Sequence, residues 1–136
     1  MSKTNVKVII EKGTDNMYSA VMDCYDLGFG LSGFGKTAKE AIDDFYLCWE
    51  EEKQFQLKEG NTPPELEFEI MPDVGAFLNM YSDMLSKSGL QKITGINQKQ
   101  LWHYQSGTRK PTMQTKRRMQ TGLHRFASTM QKVHFY

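Results

Sequence analysis

The chain's 136 residues allow one ordinary domain or two small ones, and 39% apolar with 12% aromatic content supplies compact cores, which excludes wholesale disorder. No apolar run approaches the roughly 20 residues of a membrane span, and the N-terminus lacks a signal peptide's apolar core, so a cytoplasmic protein that spans no membrane is expected. The net charge of +1 conceals a division: residues 1–78 carry seven Lys against fifteen acids (−8), and residues 79–136 carry ten Lys and Arg against Asp83 alone (+9). Such segregation points to an acidic module joined to a nucleic-acid-binding one.

In chain order, Val6, Val8 and Ile10 alternate with polar neighbours, the period-two signature of a half-buried strand. Gly13-Thr14-Asp15-Asn16 is turn chemistry, and Tyr18 to Tyr25 should return as a hairpin strand. A third strand is expected through Phe29-Gly30-Leu31-Ser32-Gly33. Residues 30–37, GLSGFGKT, match the phosphate-loop pattern G-x-x-x-x-G-K-[ST], which in a nucleotide-binding enzyme would put Lys36 on phosphate and Thr37 on Mg²⁺. The context argues otherwise, because that fold needs a parallel sheet with several crossover helices. The same residues read locally as a tight strand followed by a capping box, Thr37-Ala38-Lys39-Glu40. No cofactor is implied.

Ala41, Ile42, Phe45, Cys48 and Trp49 follow helical spacing, and Thr62-Pro63-Pro64 breaks that helix beyond Gly60. Glu65-Leu66-Glu67-Phe68-Glu69-Ile70 then alternates as a strand with one acid-lined face in water. Cys24 and Cys48 read as buried thiols in a reduced compartment. The three histidines lie far from the acids, and neighbouring carboxylates such as Asp43 and Asp44 diverge by about 100° on a helix, so no catalytic or metal-binding set is visible. The chain reads as a non-enzyme.

The expected element order is β-β-β-α-β, and the opening strand VKVII, the glycine-rich GFGLSGFGKT and the helix start TAKEAIDDF resemble the HicB family of bacterial antitoxins over residues 5–70. The family's Pro-Asp-Leu motif stands here only as Tyr25-Asp26-Leu27. The resemblance implies a degenerate, non-catalytic relative of the RNase H fold that binds and blocks a small basic HicA-like toxin that cleaves mRNA.

Pro72 and Asp73 mark the expected boundary, giving a toxin-binding domain over residues 1–72 and a DNA-binding domain over 73–136. Phe77, Met80, Tyr81, Met84 and Leu85 form a helical stripe, and Leu90 to Thr94 a short second helix. Gly95 then turns the chain into a third helix, capped by Asn97 and stopped by Gly107, with Ile96, Leu101 and either Tyr104 or Trp102 facing inward. This run resembles the helix-turn-helix of the phage-repressor (Cro-type, XRE) family over residues 77–125, with Gln91 where that family has a close-packing alanine. The resemblance implies base contacts from Gln98, Lys99, Gln100 and His103, and phosphate contacts from Asn97, Thr108, Arg109 and Lys110 on double-stranded operator DNA. Beyond Pro111, Met119, Leu123, Phe126, Met130 and Val133 recur at steps of four and three, with Lys116, Arg117, Arg118 and Arg125 between them. That stripe either completes the domain core or forms a homodimer seam.

The fold class expected is therefore α+β: a HicB-like, RNase H-like sheet domain followed by an all-α helix-turn-helix domain. The function expected is an antitoxin that neutralises a HicA-like toxin and represses its own operon. The alternative is a stand-alone repressor whose N-terminal domain senses a ligand or assembles subunits.

Overall fold

The computed structural model describes residues 3–136. It is α+β, with the element order β1 (Thr4–Lys12), β2 (Tyr18–Asp23), β3 (Ser32–Gly35), α1 (Ala38–Lys58), β4 (Leu66–Pro72), α2 (Val74–Met80), α3 (Lys87–Thr94), α4 (Gln98–Ser106) and α5 (Met113–Gln131). It divides into two compact units, one ending at Met80 and one spanning Tyr81–Tyr136.

In the first unit the strands form one mixed sheet in the order β3-β2-β1-β4, antiparallel except for the parallel pair β1 and β4. The β1–β2 hairpin closes through the Asp15 carboxylate, which accepts the Met17 N–H at 3.0 Å, while Asn16 takes a positive φ of 64°. Alternation sends Val6, Val8 and Ile10 of β1 and Tyr18, Ala20 and Met22 of β2 to one buried face. Against it α1 lays Ala38, Ala41, Phe45 and Trp49. Phe68 of β4 meets Phe45 edge to face, the ring centroids 5.1 Å apart, an arrangement that aromatic quadrupoles favour.

The third strand lies at Ser32–Gly35 and not at Phe29–Gly33. Helix packing decides the shift. A Cβ on Gly33 would run into the Phe45 backbone N and the Ala41 carbonyl of α1, so only glycine lets the helix close on this strand. Thr37 then caps α1 by accepting the Glu40 N–H at 3.1 Å, and the Glu40 carboxylate reaches one residue past the cap to accept the Lys36 N–H at 2.8 Å, a variant of the capping box. Of the glycines in this stretch, Gly33 and Gly35 are strand residues paired with Ala20 and Tyr18, Gly30 precedes the strand, and the Thr37 hydroxyl is engaged by the helix. Cys24 and Cys48 are half-buried free thiols, more exposed than their apolar neighbours suggest.

The helical stripe expected through Leu85 stops at Met80. Asp73 caps α2, its carboxylate accepting the Ala76 N–H at 2.7 Å. Asn79 in turn accepts the Ala38 N–H of α1 at 2.9 Å. With Ala76 in the sheet unit's core and Met80 packed against it, α2 belongs to the sheet unit, so the units part after Met80 and not at Pro72. Residues 81–85 form a turn that leaves Met84 68% exposed.

The second unit contains three helices, α3 to α5. Ser86 caps α3 and Gly95 ends it at a left-handed φ of 76°. Leu90, Ile96, Leu101 and Met119 form its small buried centre. Gly122 is the crossing point of α5 on α3: a Cβ there would lie 2.5 Å from the Ile93 carbonyl oxygen and 3.0 Å from the Thr94 Cα. Beyond Gly122 the apolar stripe does not enter the core, since Phe126, Met130 and Val133 are exposed. No helix of the described residues is long and apolar enough to cross a membrane.

Candidate nucleic-acid interface

The chain from α3 to α4 is a short helix, a left-handed glycine and a second helix with a polar front. Asn97 caps α4 by accepting the Lys99 N–H at 2.8 Å, and Gly107 closes it at φ 82°. One more orphan N–H of the first turn, that of Gln98, is taken by the Gln91 side-chain oxygen at 3.0 Å. Gln91 thus points outward from α3 and helps to seat α4, while close helix approach in this unit is supplied by Gly122.

Five of the eight residues singled out by the sequence converge. Asn97, Lys99, Gln100, His103 and Arg109 line one concavity of about 400 Å³. Arg109 comes to this place because the turn after α4 folds back, its N–H donating to the His103 carbonyl at 3.2 Å. Gln98, Thr108 and Lys110 lie outside that lining but are exposed. The Thr108 hydroxyl sits 2.8 Å from that of Ser106, which stiffens the loop leading to Arg109 and Lys110. No acid lines the concavity, so its field is positive, and the Gln100 amide, a lysine, an imidazole and a guanidinium offer donors and acceptors around it.

Inside α4 the apolar choice is Leu101, fully buried, while Trp102 is 58% exposed. The Trp102 ring is covered on one face by the Lys87 ammonium, 4.4 Å from the ring centroid. Lys87 is the first residue of α3 and is itself only 9% exposed. Burial pushes its ammonium below the ordinary lysine range. Sequence reading missed this pair, because a lysine next to a serine cap looks like solvated surface. The spacing that betrays it is tertiary.

It also missed a second basic concavity of about 530 Å³ between α3 and α5, to which Lys92, Arg117, Arg118 and Arg125 all contribute. The run Lys116-Arg117-Arg118 with Arg125 seven residues beyond Arg118 was the available signal, since positions seven apart fall on one helix face.

On the sheet unit, the face away from α1 carries a second feature. Val21, Ile9 and Met71 stand side by side across β2, β1 and β4, with Phe34 on the edge strand one step away. Val21 is 42%, Met71 38% and Phe34 58% exposed. Glu11, Asp23, Glu67 and Glu69 stand on the same face and frame this row, with Lys7 the one cation among them. The hairpin loop beyond β2 holds Cys24 against Asp26, the thiol donating to the carboxylate at 2.9 Å. That bond holds the thiol above its ordinary pKa and the Asp26 carboxyl below its own.

No family model, curated protein or solved structure matches the chain.

Proposed function

We propose that this chain is a DNA-binding antitoxin of the HicB type, in which the helical unit binds operator DNA as a helix-turn-helix and the sheet unit holds a cationic toxin. The observation that carries the reading is the convergence of Asn97, Lys99, Gln100, His103 and Arg109 on one acid-free concavity at the front of α4. In this reading α4 enters the major groove. Gln98 and Gln100 pair with adenine edges, Lys99 with guanine O6 and N7, and His103 reaches a base from the next turn. Asn97 spends its amide oxygen on the helix cap, so its N–H₂ faces phosphate alongside Thr108, Arg109 and Lys110.

The sheet unit's part follows from its residues. An apolar row rimmed by carboxylates has the anatomy of a protein interface, with a dry centre and a charged rim. Four acids against one lysine select a basic partner and speed its encounter. Neutralisation is then steric and electrostatic, with no bond made or broken by this chain. The exposed stripe Phe126, Met130 and Val133 serves as a dimer seam, which matches a two-half-site operator with centres about 34 Å apart.

A growth assay tests the reading. A HicA-type mRNA-cleaving toxin coexpressed with this chain should lose its toxicity, and Val21→Lys with Met71→Lys should restore it. In parallel, Gln98→Ala and Lys99→Ala should each cost about 1–3 kcal/mol on the selected operator and little on random duplex. Equal losses on both duplexes sink the base-reading role, and undiminished toxicity beside wild-type chain sinks the antitoxin role. In that second case the stand-alone repressor is left.

A further inference from the structure

The cleft between α3 and α5 shares no lining residue with the concavity at the front of α4. It is walled by Lys92, Ile93 and Thr94 of α3, by Gly95, and by Arg117, Arg118, Thr121, Gly122 and Arg125 of α5. Four cations face this space and no acid does. Lys92, Arg117 and Arg125 make no ion pair among the described residues, and all three are exposed. Arg118 alone is tethered, its guanidinium donating to the Gly95 carbonyl at 3.1 Å. Like charges gathered in a concavity repel one another, and folding could have relieved that repulsion with one glutamate. The helix crossing instead holds the cluster together, because Gly122 brings the α5 backbone against Ile93 and Thr94.

We propose that this cleft is a second, sequence-independent site for the phosphodiester backbone of duplex DNA. Guanidinium forks match phosphate oxygens two at a time, and Lys92 adds a point charge from the opposite wall. The length of the site argues for a polynucleotide over a lone phosphate. From Arg117 to Arg125 is eight residues, about 12 Å along a helix. One DNA strand advances about 3.4 Å per phosphate, so the arginines span roughly three phosphates. A chain with both sites grips the backbone beyond the reach of α4, which adds affinity and salt dependence but no sequence preference. The choice of duplex DNA as partner rests on the function proposed for α4.

The test uses the full chain, a random 30-base-pair duplex, fluorescence anisotropy and a KCl series. Arg117→Gln with Arg125→Gln keeps length and helix propensity, and circular dichroism checks the fold. The double variant should bind the random duplex at least tenfold more weakly at low salt. Its log–log salt slope should fall by about two units, since each phosphate contact contributes about 0.9. The ratio of operator to random binding should stay as in wild type. An unchanged slope in this variant, beside a reduced slope in Arg109→Ala, overturns the site and leaves the α4 reading standing. If the variant loses slope but wild type shows no sequence preference, the site stands and the α4 reading falls. No duplex binding by wild type overturns both. Release of the duplex by millimolar inorganic phosphate at constant ionic strength, in wild type but not in the variant, identifies a lone-phosphate pocket and also overturns the proposal.

Discussion

The two units solve the same problem with different means. The sheet unit buries a continuous core of twelve side chains, from Val6 on β1 to Ala76 on α2, and its elements are held chiefly by apolar area. The helical unit buries only Leu90, Ile96, Leu101 and Met119 among its apolar side chains, with Lys87 and Thr94 beside them. What it lacks in core it makes up in local closure. Ser86, Asn97 and Thr112 cap its three helices, Gly95 and Gly107 end two of them, and Thr94 bridges the Leu90 carbonyl and the Ile96 N–H. The proposed role of gripping a polyanion would keep the long cations of these helices in solvent and leave less of each helix available for burial. Helix ends then carry a larger share of the stability.

The largest effect expected from this contrast is at the sheet unit's centre. Phe45 is fully buried and packs on Phe68 and Tyr46, so Phe45→Ala should cost about 3–5 kcal/mol. Hydrogen exchange should show the loss in the amides of β1, β2 and α1 and spare those of α3 to α5. Loss of protection throughout the chain would show that the units do not fold independently. Next comes Gly122→Ala. Its methyl would press on the Ile93 carbonyl, which forces α5 off α3 at about 1–3 kcal/mol. An alanine that raises the urea midpoint would mean that the crossing relaxes freely and that helix propensity alone matters there. Third is Asn97→Ala, which removes the α4 cap at about 1 kcal/mol and should fray the first turn in exchange experiments. Asn97→Asp should keep the cap, and if it frays α4 equally, the cap is not what seats the helix.

These contrasts also explain what could be read in the linear chain. Period-two alternation in residues 4–12 and 66–72 is local, so β1 and β4 were legible with their faces. Caps are local too, and α1 and α4 began where Thr37 and Asn97 stand, whereas α3 begins just after the Ser86 cap, at Lys87, three residues ahead of the expected Leu90. The position of β3 was not local, since it is set by which glycine lies under Phe45. Nor was the fate of α2: its stripe through Leu85 fits a helix of either unit, and the Asp73 cap and the Asn79 bond to Ala38 decide for the sheet. At the candidate site, residues adjacent in sequence on α4 were found. Those joined only across helices, Lys87 with Trp102 and Lys92 with Arg117 and Arg125, were not.

The smallest effect concerns that missed pair, and it has a definite sign. The Lys87 ammonium gains from the Trp102 ring, a contact worth about 0.5–1 kcal/mol where water reaches it. Burial acts in the opposite sense and holds its pKa below the ordinary lysine value. At neutral pH both folded and unfolded chains carry the proton, and the folded state bears the desolvation cost. As pH rises from the lowered folded value towards the unfolded value of 10.5, the folded chain gives up the proton first. The unfolded chain then binds more protons, so stability rises with pH across that window and is flat below it. Lys87→Met keeps the length and the contact with the ring but removes the titration. Urea unfolding followed by Trp102 fluorescence in a Trp49→Phe background, from pH 7.5 to 10.5, reads the difference. Wild type should gain on the variant as pH rises. Parallel profiles would mean that Lys87 reaches water when charged, and the buried cation would cease to distinguish the two cores.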